Sequence, residues 1–172
     1  AARVLAGRLL PRVLAYAARL LGGDRAEAED VAQEAMLRLW RMAPGWRPGE
    51  AKVSTWLYRV VTNLCTDRRR GAARRAQPMG DDLPDAADGA PGAEARMVQE
   101  ARAAALDAAL AALPDRQREA VVLRHIEGLS NPEIAMIMGV GVEAVESLTA
   151  RGKRALAAAL APRRDALGYA EG

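Results

Sequence analysis

The stretch from Ser130 to Leu160 limits most strongly what this chain can become. Pro132 suits the first turn of a helix, where its missing amide has no partner to lose, and Ser130 or Asn131 can cap that turn. Gly139-Val140-Gly141 breaks the helix, and a second periodic segment runs from Val142 to about Leu160. Two helices joined by a short glycine-containing turn form a helix-turn-helix, whose second helix can enter the major groove of DNA. At about 100° per residue, Val145, Leu148, Gly152 and Leu156 share one side, expected to be packed. Glu143, Glu146, Ser147, Ala150, Arg151, Lys153 and Arg154 occupy the other. Small and polar residues lead and cations follow, an order suited to base edges first and phosphate later. A solvated face with cations favoured by the helix dipole is the simpler alternative.

Charge divides the chain. The net is +8 over residues 1–76, −5 over 77–100 and 0 over 101–172, so polyanion contact is expected at the front. The single cysteine, Cys65, excludes an internal disulfide and a cysteine-rich metal site. No apolar run approaches the roughly 18 residues needed to span a bilayer, and no clear signal peptide opens the sequence. A cytoplasmic protein without membrane insertion is expected. The sequence starts at Ala1 rather than Met, which leaves room for residues before it.

Periodicity predicts further helices. Val4 to Leu21 reads as one, with Pro11 a break or kink and Gly22-Gly23 its end. Asp24 can cap a helix from about Ala26 to Met42, with Glu27 completing a capping box. Val31, Ala35, Leu39 and Met42 form its apolar side. Asp30, Gln33, Glu34, Leu37, Trp40 and Arg41 lie opposite, where a Leu and a Trp among charges call for a cover. That cover could be another helix of the domain or a partner protein.

Pro44 to Val53 reads as a loop carrying Trp46, Arg47 and Lys52. Ser54 or Thr55 can cap a helix from Trp56 to about Arg70, with Leu57, Val60, Val61, Leu64 and Cys65 buried. Arg59, Thr62, Asn63, Thr66, Arg69 and Arg70 are expected on the open side, where cations interleaved with Asn and Thr can meet phosphates and bases. Five of the six aromatics fall within the first 58 residues, so this basic unit could stack single-stranded bases; for Trp56 and Tyr58 ordinary core is the competing assignment. From Gly71 to about Ala95 periodicity gives way to Gly, Pro and Asp, the composition of a flexible linker. Helix is expected again from Glu94 to Leu113, with Leu106, Leu110 and Leu113 on one stripe. Another should span Asp115 to Glu127, burying Val121 and Val122 with Ile126 a further candidate. The tail after Pro162 is expected to fray.

Asp30-Val-Ala-Gln-Glu-Ala-Met-Leu-Arg-Leu-Trp40, Thr55-Trp-Leu-Tyr-Arg-Val-Val-Thr-Asn63 with Asp67-Arg-Arg-Arg70, and Leu113-Pro-Asp-Arg-Gln-Arg-Glu119 before the helix-turn-helix together resemble bacterial extracytoplasmic-function RNA polymerase sigma factors, group IV of the sigma-70 family. The match runs from about Leu9 to Leu160, with the motifs in the family's order. It implies an all-α protein of two small domains. A region 2-like bundle (1–76) and a region 4-like helix-turn-helix domain (97–172) would be joined by a flexible acidic linker (77–96).

The resemblance also implies roles. Asp30, Gln33, Glu34, Leu37, Trp40 and Arg41 would bind core RNA polymerase. The loop from Gly45 to Ser54, with Trp46 and Lys52, would receive a flipped base of the −10 element. Arg59, Asn63, Asp67, Arg69 and Arg70 would lie near the same DNA. Glu146, Ser147, Ala150 and Arg151 would read the −35 element while Lys153 and Arg154 touch its backbone. Core polymerase, promoter DNA and an anti-sigma factor are the implied partners, and no cofactor is implied. Glu146 stands where many relatives carry a basic residue, and Glu143-Ala144-Val145 replaces a Gly-Thr-Val pattern. An acidic group accepts from cytosine N4 but repels phosphate, so an unusual −35 preference is expected.

Two other classes fit less of the chain. A plain helix-turn-helix regulator accounts for 130–160 and leaves the Trp40 face unexplained. An enzyme has little to work with, because His125 is the only histidine, Cys65 is on a buried stripe and Gly139-Val140-Gly141 lacks the strand and third glycine of a nucleotide fingerprint.

Overall fold

The computed structural model describes residues 2–46, 52–75 and 94–163. Every regular element among them is helical. In chain order these are α1 (Ala2–Leu20), α2 (Arg25–Met42), α3 (Val53–Arg75), α4 (Glu94–Ala111), α5 (Asp115–Val121), α6 (Asn131–Met138) and α7 (Val142–Leu160). Residues 77–93 of the expected acidic linker, residues 47–51 of the expected loop and the tail from 164 lie outside the described residues, while 94–96, expected to end the linker, are already the first turn of α4.

α1 packs on α2 and α3, and α2 on α3. Leu9, Val13, Tyr16, Ala17 and Leu20 meet Val31, Ala35, Leu39, Leu57, Val61 and Cys65 in a shared core. α1 continues through Pro11 instead of breaking there. Pro11 and Gly7, whose carbonyl loses its helical partner, are both exposed, so water can satisfy that group. Gly22 and Gly23 then stop the helix with φ of 68° and 87°, a backbone region open to glycine at little cost. Asp24 caps α2, accepting from the Glu27 amide at 3.1 Å. The reciprocal half of the capping box does not form. Glu27 turns to an ion pair with Arg68 of α3, tying the two helices together.

α3 is longer than its sequence suggests at both ends. Ser54 and Thr55 do not cap it; the Trp56 amide already bonds to the Lys52 carbonyl at 3.2 Å, so the first turn forms upstream. Starting there lets Val53 pack on the core and buries Thr55.

The second module is built around α7, which packs on α4, α5 and α6. Ser130 accepts from the Glu133 amide at 3.3 Å and so caps α6. Gly139 ends it at φ 67°, and Gly141 opens α7. The segment after α5 departs from the expected helix. Val122–Ile126 is a single π-helical turn, with the Glu127 amide bonding to the Val122 carbonyl at 2.9 Å. The wider turn carries Leu123 into the core and leaves Ile126 exposed. α4 buries Ala105, Ala109 and Leu110, whereas Leu106 faces outward. Leu110 and Leu113 of the expected stripe are buried together with Ala105 and Ala109, so Leu106 alone of the three leucines lies off the packed side. Arg118 is fully buried and donates to the carbonyls of Leu110, Ala111 and Leu113 at 2.6–2.7 Å, closing the end of α4.

The two modules touch. α3 lies on α6, and α1 on α4 and α5; the buried residues of both belong to one contiguous apolar cluster.

Candidate functional site

Three surfaces hold the residues singled out by sequence. The first is the outer side of α2. Because Ala28, Val31, Ala32, Ala35, Met36 and Leu39 turn inward, the helical period forces Asp30, Gln33, Leu37, Trp40 and Arg41 outward, and all five are exposed. Glu34 is half-buried and accepts from Arg38 at 3.1 Å. Leu37 and Trp40 are each 45% exposed. Among the described residues no helix supplies the cover that their size calls for. Trp40 also borders a largely apolar cleft of about 170 Å³ with Leu5, Leu39, Met42, Ala43, Trp46 and Val53. Rigid aromatic and aliphatic groups beside such a cleft, ringed by charge, can anchor another protein.

The second surface belongs to α3 and the residues before it. Arg59, Asn63, Asp67 and Arg70 are exposed at helical spacing along one face. Trp46 is half-buried and lines a cleft of about 310 Å³ with Met42, Gly45, Thr55, Trp56, Arg59 and Met136. Trp56 is half-buried against the core and Tyr58 is buried. The expected open side is narrower than the sequence implies. Thr62 is buried, accepting from Tyr16 at 2.7 Å and donating to the Tyr58 carbonyl at 2.7 Å; Thr66 is half-buried. Arg69 is engaged as well, pairing with Asp115 at 2.7 Å and donating to the Leu20 carbonyl at 2.6 Å. Lys52 lies 3.8 Å from Glu133. The second module covers this edge of α3, a long-range event that no helical wheel records.

Sequence reasoning missed the residues that make this junction, Tyr58, Glu119 and Glu127. A signal was present: Tyr58, Thr62, Thr66 and Arg69 recur at i, i+4, i+8 and i+11 beside the apolar stripe, a half-polar band suited to a polar interface.

The third surface is α7. Val145 and Gly152 are buried, with Leu148 and Leu156 packed against the core. Glu143, Glu146, Ser147, Ala150, Arg151, Lys153 and Arg154 are all exposed, so the solvent side of this helix is the one the wheel assigns. Glu146 is therefore exposed to solvent rather than folded inward.

The ionisable residues outside these surfaces offer little chemistry. Burial pushes the Cys65 thiol up to about 12, which keeps it a neutral core side chain. His125 is exposed at the surface; partial desolvation and the cations Lys153 and Arg124 lower its pKa. Among the described residues no group of three His, Cys, Asp or Glu side chains could hold a metal ion, and no helix is long and apolar enough to cross a membrane.

Comparison with known proteins places the whole arrangement. Residues 5–75 match the family model Sigma-70 region 2, and residues 103–156 match Sigma-70, region 4. The chain is 40% identical to ECF RNA polymerase sigma factor SigE of Mycolicibacterium smegmatis over 139 residues, spanning 79% of this chain and 52% of that relative. It is 39% identical to ECF RNA polymerase sigma factor SigM of Mycobacterium tuberculosis over 147 residues, 85% of this chain and 70% of that relative. In three dimensions it is similar to the sigma factor RpoE in its co-crystal with the anti-sigma factor NepR from Bartonella quintana. That match has a TM-score of 0.69 at 22% identity and covers 92% of this chain and 95% of the other. Both halves, their order and their helical build therefore coincide with one family, and the chain belongs to the extracytoplasmic-function sigma factors of the sigma-70 family.

Proposed function

We propose that this chain directs RNA polymerase to promoters as an alternative, stress-responsive sigma factor held in check by an anti-sigma factor, and that it acts in the cytoplasm without catalysing a reaction of its own. The observation that carries the polymerase part is the uncovered Leu37 and Trp40 on α2. In this reading Asp30, Gln33, Glu34, Leu37, Trp40 and Arg41 dock on core polymerase. Trp46, Lys52, Arg59, Asn63, Asp67, Arg69 and Arg70 engage the melted −10 strand. Glu146, Ser147, Ala150 and Arg151 read the −35 element, with Lys153 and Arg154 on its backbone. The units fall at 1–76 and 97–172, joined through 77–96.

Melting follows from differential binding. Extruded bases gain stacking and polar contacts at the Trp46 cleft, and the displaced strand gains cations along α3; closed duplex offers neither. The free chain is expected to bind promoter DNA weakly, because polymerase must align both modules at once.

Run-off transcription with core polymerase on fragments from upstream of bacterial genes tests the assignment. Trp40→Ala should lose capture by immobilised core. Asn63→Ala and Arg151→Ala should keep capture and lose at least tenfold in promoter use. Retained capture by Trp40→Ala would move the docking surface elsewhere. A chain that binds a palindromic duplex as a dimer and never captures core would instead be a plain helix-turn-helix regulator.

A further inference from the structure

Glu146 carries a charge that nothing else in α7 answers. Its neighbour Val145 is fully buried and Leu148 packs against the core, so the helix cannot roll and Glu146 is held on the exposed side. Among the described residues its carboxylate has neither an ion pair nor a hydrogen bond. The helix itself denies it a partner. The positions one turn away are Val142, Glu143, Thr149 and Ala150, none of them a cation. Of the three cations in α7, Arg151 lies about 140° round the axis, and Lys153 and Arg154 lie roughly 10–12 Å along it. Glu143 differs, since it sits in the first turn, where the helix dipole favours a negative charge. Glu146 is beyond that turn and one turn from Glu143, so it gains little from the dipole and is repelled by its neighbour. In water such a carboxylate is well hydrated and needs no partner.

We infer that Glu146 makes this chain a reader of cytosine in the −35 element, by accepting a hydrogen bond from the N4 amino group of the base. The inference rests on the proposed entry of α7 into the major groove. Entry strips water from the outward side chains, and an ionised carboxylate, which can only accept, must then find a donor or bear its desolvation uncompensated. The phosphates that flank the groove repel it. The groove floor offers two donors, cytosine N4 and adenine N6, whereas guanine presents acceptors and thymine an acceptor and a methyl group. Adenine N6 stands beside N7, an acceptor that opposes a carboxylate; cytosine carries no acceptor on its own major-groove edge. Discrimination therefore comes mostly from exclusion, because every other base leaves the charge dry and poorly paired. Lys153 lies within about 20° of the same line, two turns on, so a phosphate bound there offsets the repulsion that Glu146 meets.

The test uses holoenzyme reconstituted from the full chain and core polymerase, with a pool of duplexes whose randomised stretch is long enough for both promoter elements. Bound DNA is recovered and sequenced over several rounds for the wild type, Glu146→Ala and Glu146→Lys. The wild type should enrich two separated blocks with a fixed cytosine in the upstream one. Replacing that cytosine in the winning duplex by any other base should lower run-off transcription by the wild type about tenfold. Glu146→Ala should narrow the spread among the four bases there to about twofold, and Glu146→Lys should move the preference to guanine. A wild-type upstream block without a fixed cytosine, or a cytosine preference that survives Glu146→Ala, overturns the inference. Capture by immobilised core polymerase is measured for all three proteins. Absence of capture refutes the sigma-factor reading and the inference with it, whereas intact capture and transcription with base preference indifferent to residue 146 refutes the inference alone.

Discussion

Glu119 shows how burial sets the behaviour of a single carboxyl. Its side chain is 5% exposed, and although Arg116 lies 2.9 Å away, desolvation outweighs that cation and raises its pKa above the ordinary glutamate value. Between the ordinary and the raised value the folded chain binds this proton more tightly than the unfolded chain does. Stability from this group is fully present below the ordinary carboxyl range and is lost as pH rises through the elevated value. Glu119→Gln keeps the shape and removes the titration. Thermal unfolding followed from pH 4 to pH 7 should show the variant gaining on the wild type as pH rises, with the two converging at the acid end. Arg118, the residue before Glu119, marks the opposite case. Its guanidinium, permanently ionised, is accepted inside the fold because three carbonyls and Asp115 surround it. Its place in the Leu113–Glu119 motif was visible in the sequence, but its task of closing α4 was not, since that depends on where three carbonyls end up in space.

At the scale of elements, α5 and α7 meet at Gly152. A methyl group there would collide with Val121 Cγ2 and approach the Gln117 carbonyl to 3.3 Å. Alanine is worth about 1 kcal/mol over glycine within a helix, yet overpacking a tight contact costs about 1–3 kcal/mol. Gly152→Ala is expected to lower the melting temperature, and far-UV circular dichroism on heating would check it. A rise in melting temperature would mean that the helices part without penalty. Elements with strong local chemistry were legible from sequence. Ser130 and Pro132 announce α6, Gly139 ends it, and Asp24 announces α2, because each acts through backbone groups within a turn. The α3 start, the π-helical turn and the Leu106 side of α4 were not legible. In each the deciding contact comes from elsewhere in the chain: Val53 reaching the core, Leu123 being drawn inward, and Ala105 and Ala109 being buried together with Leu110. The α7 face was placed correctly for solvent exposure since alternation of packed and open residues is strong there. The α3 face was read too generously, for Thr62 bonds to Tyr16 and the Tyr58 carbonyl and Thr66 to the Thr62 carbonyl, while Arg69 turns to Asp115 of the second module.

At the scale of the whole molecule, the two modules meet through opposite charges, so their contact is sensitive to salt at its exposed ends and insulated at its centre. Among the described residues the outer side of α2 has no such internal answer. Because Leu37 and Trp40 remain 45% exposed each, copies made in excess of polymerase should stick to one another. Light scattering on a concentration series is expected to reveal self-association that Trp40→Ala suppresses; equal scattering by both proteins would show that this side is harmless in water. The tryptophan thus imposes a stoichiometric discipline on its cell. On the proposed function, a cell that makes this chain faster than its partners can cover α2 would carry the surplus as a burden on proteostasis rather than as a reserve of transcriptional capacity.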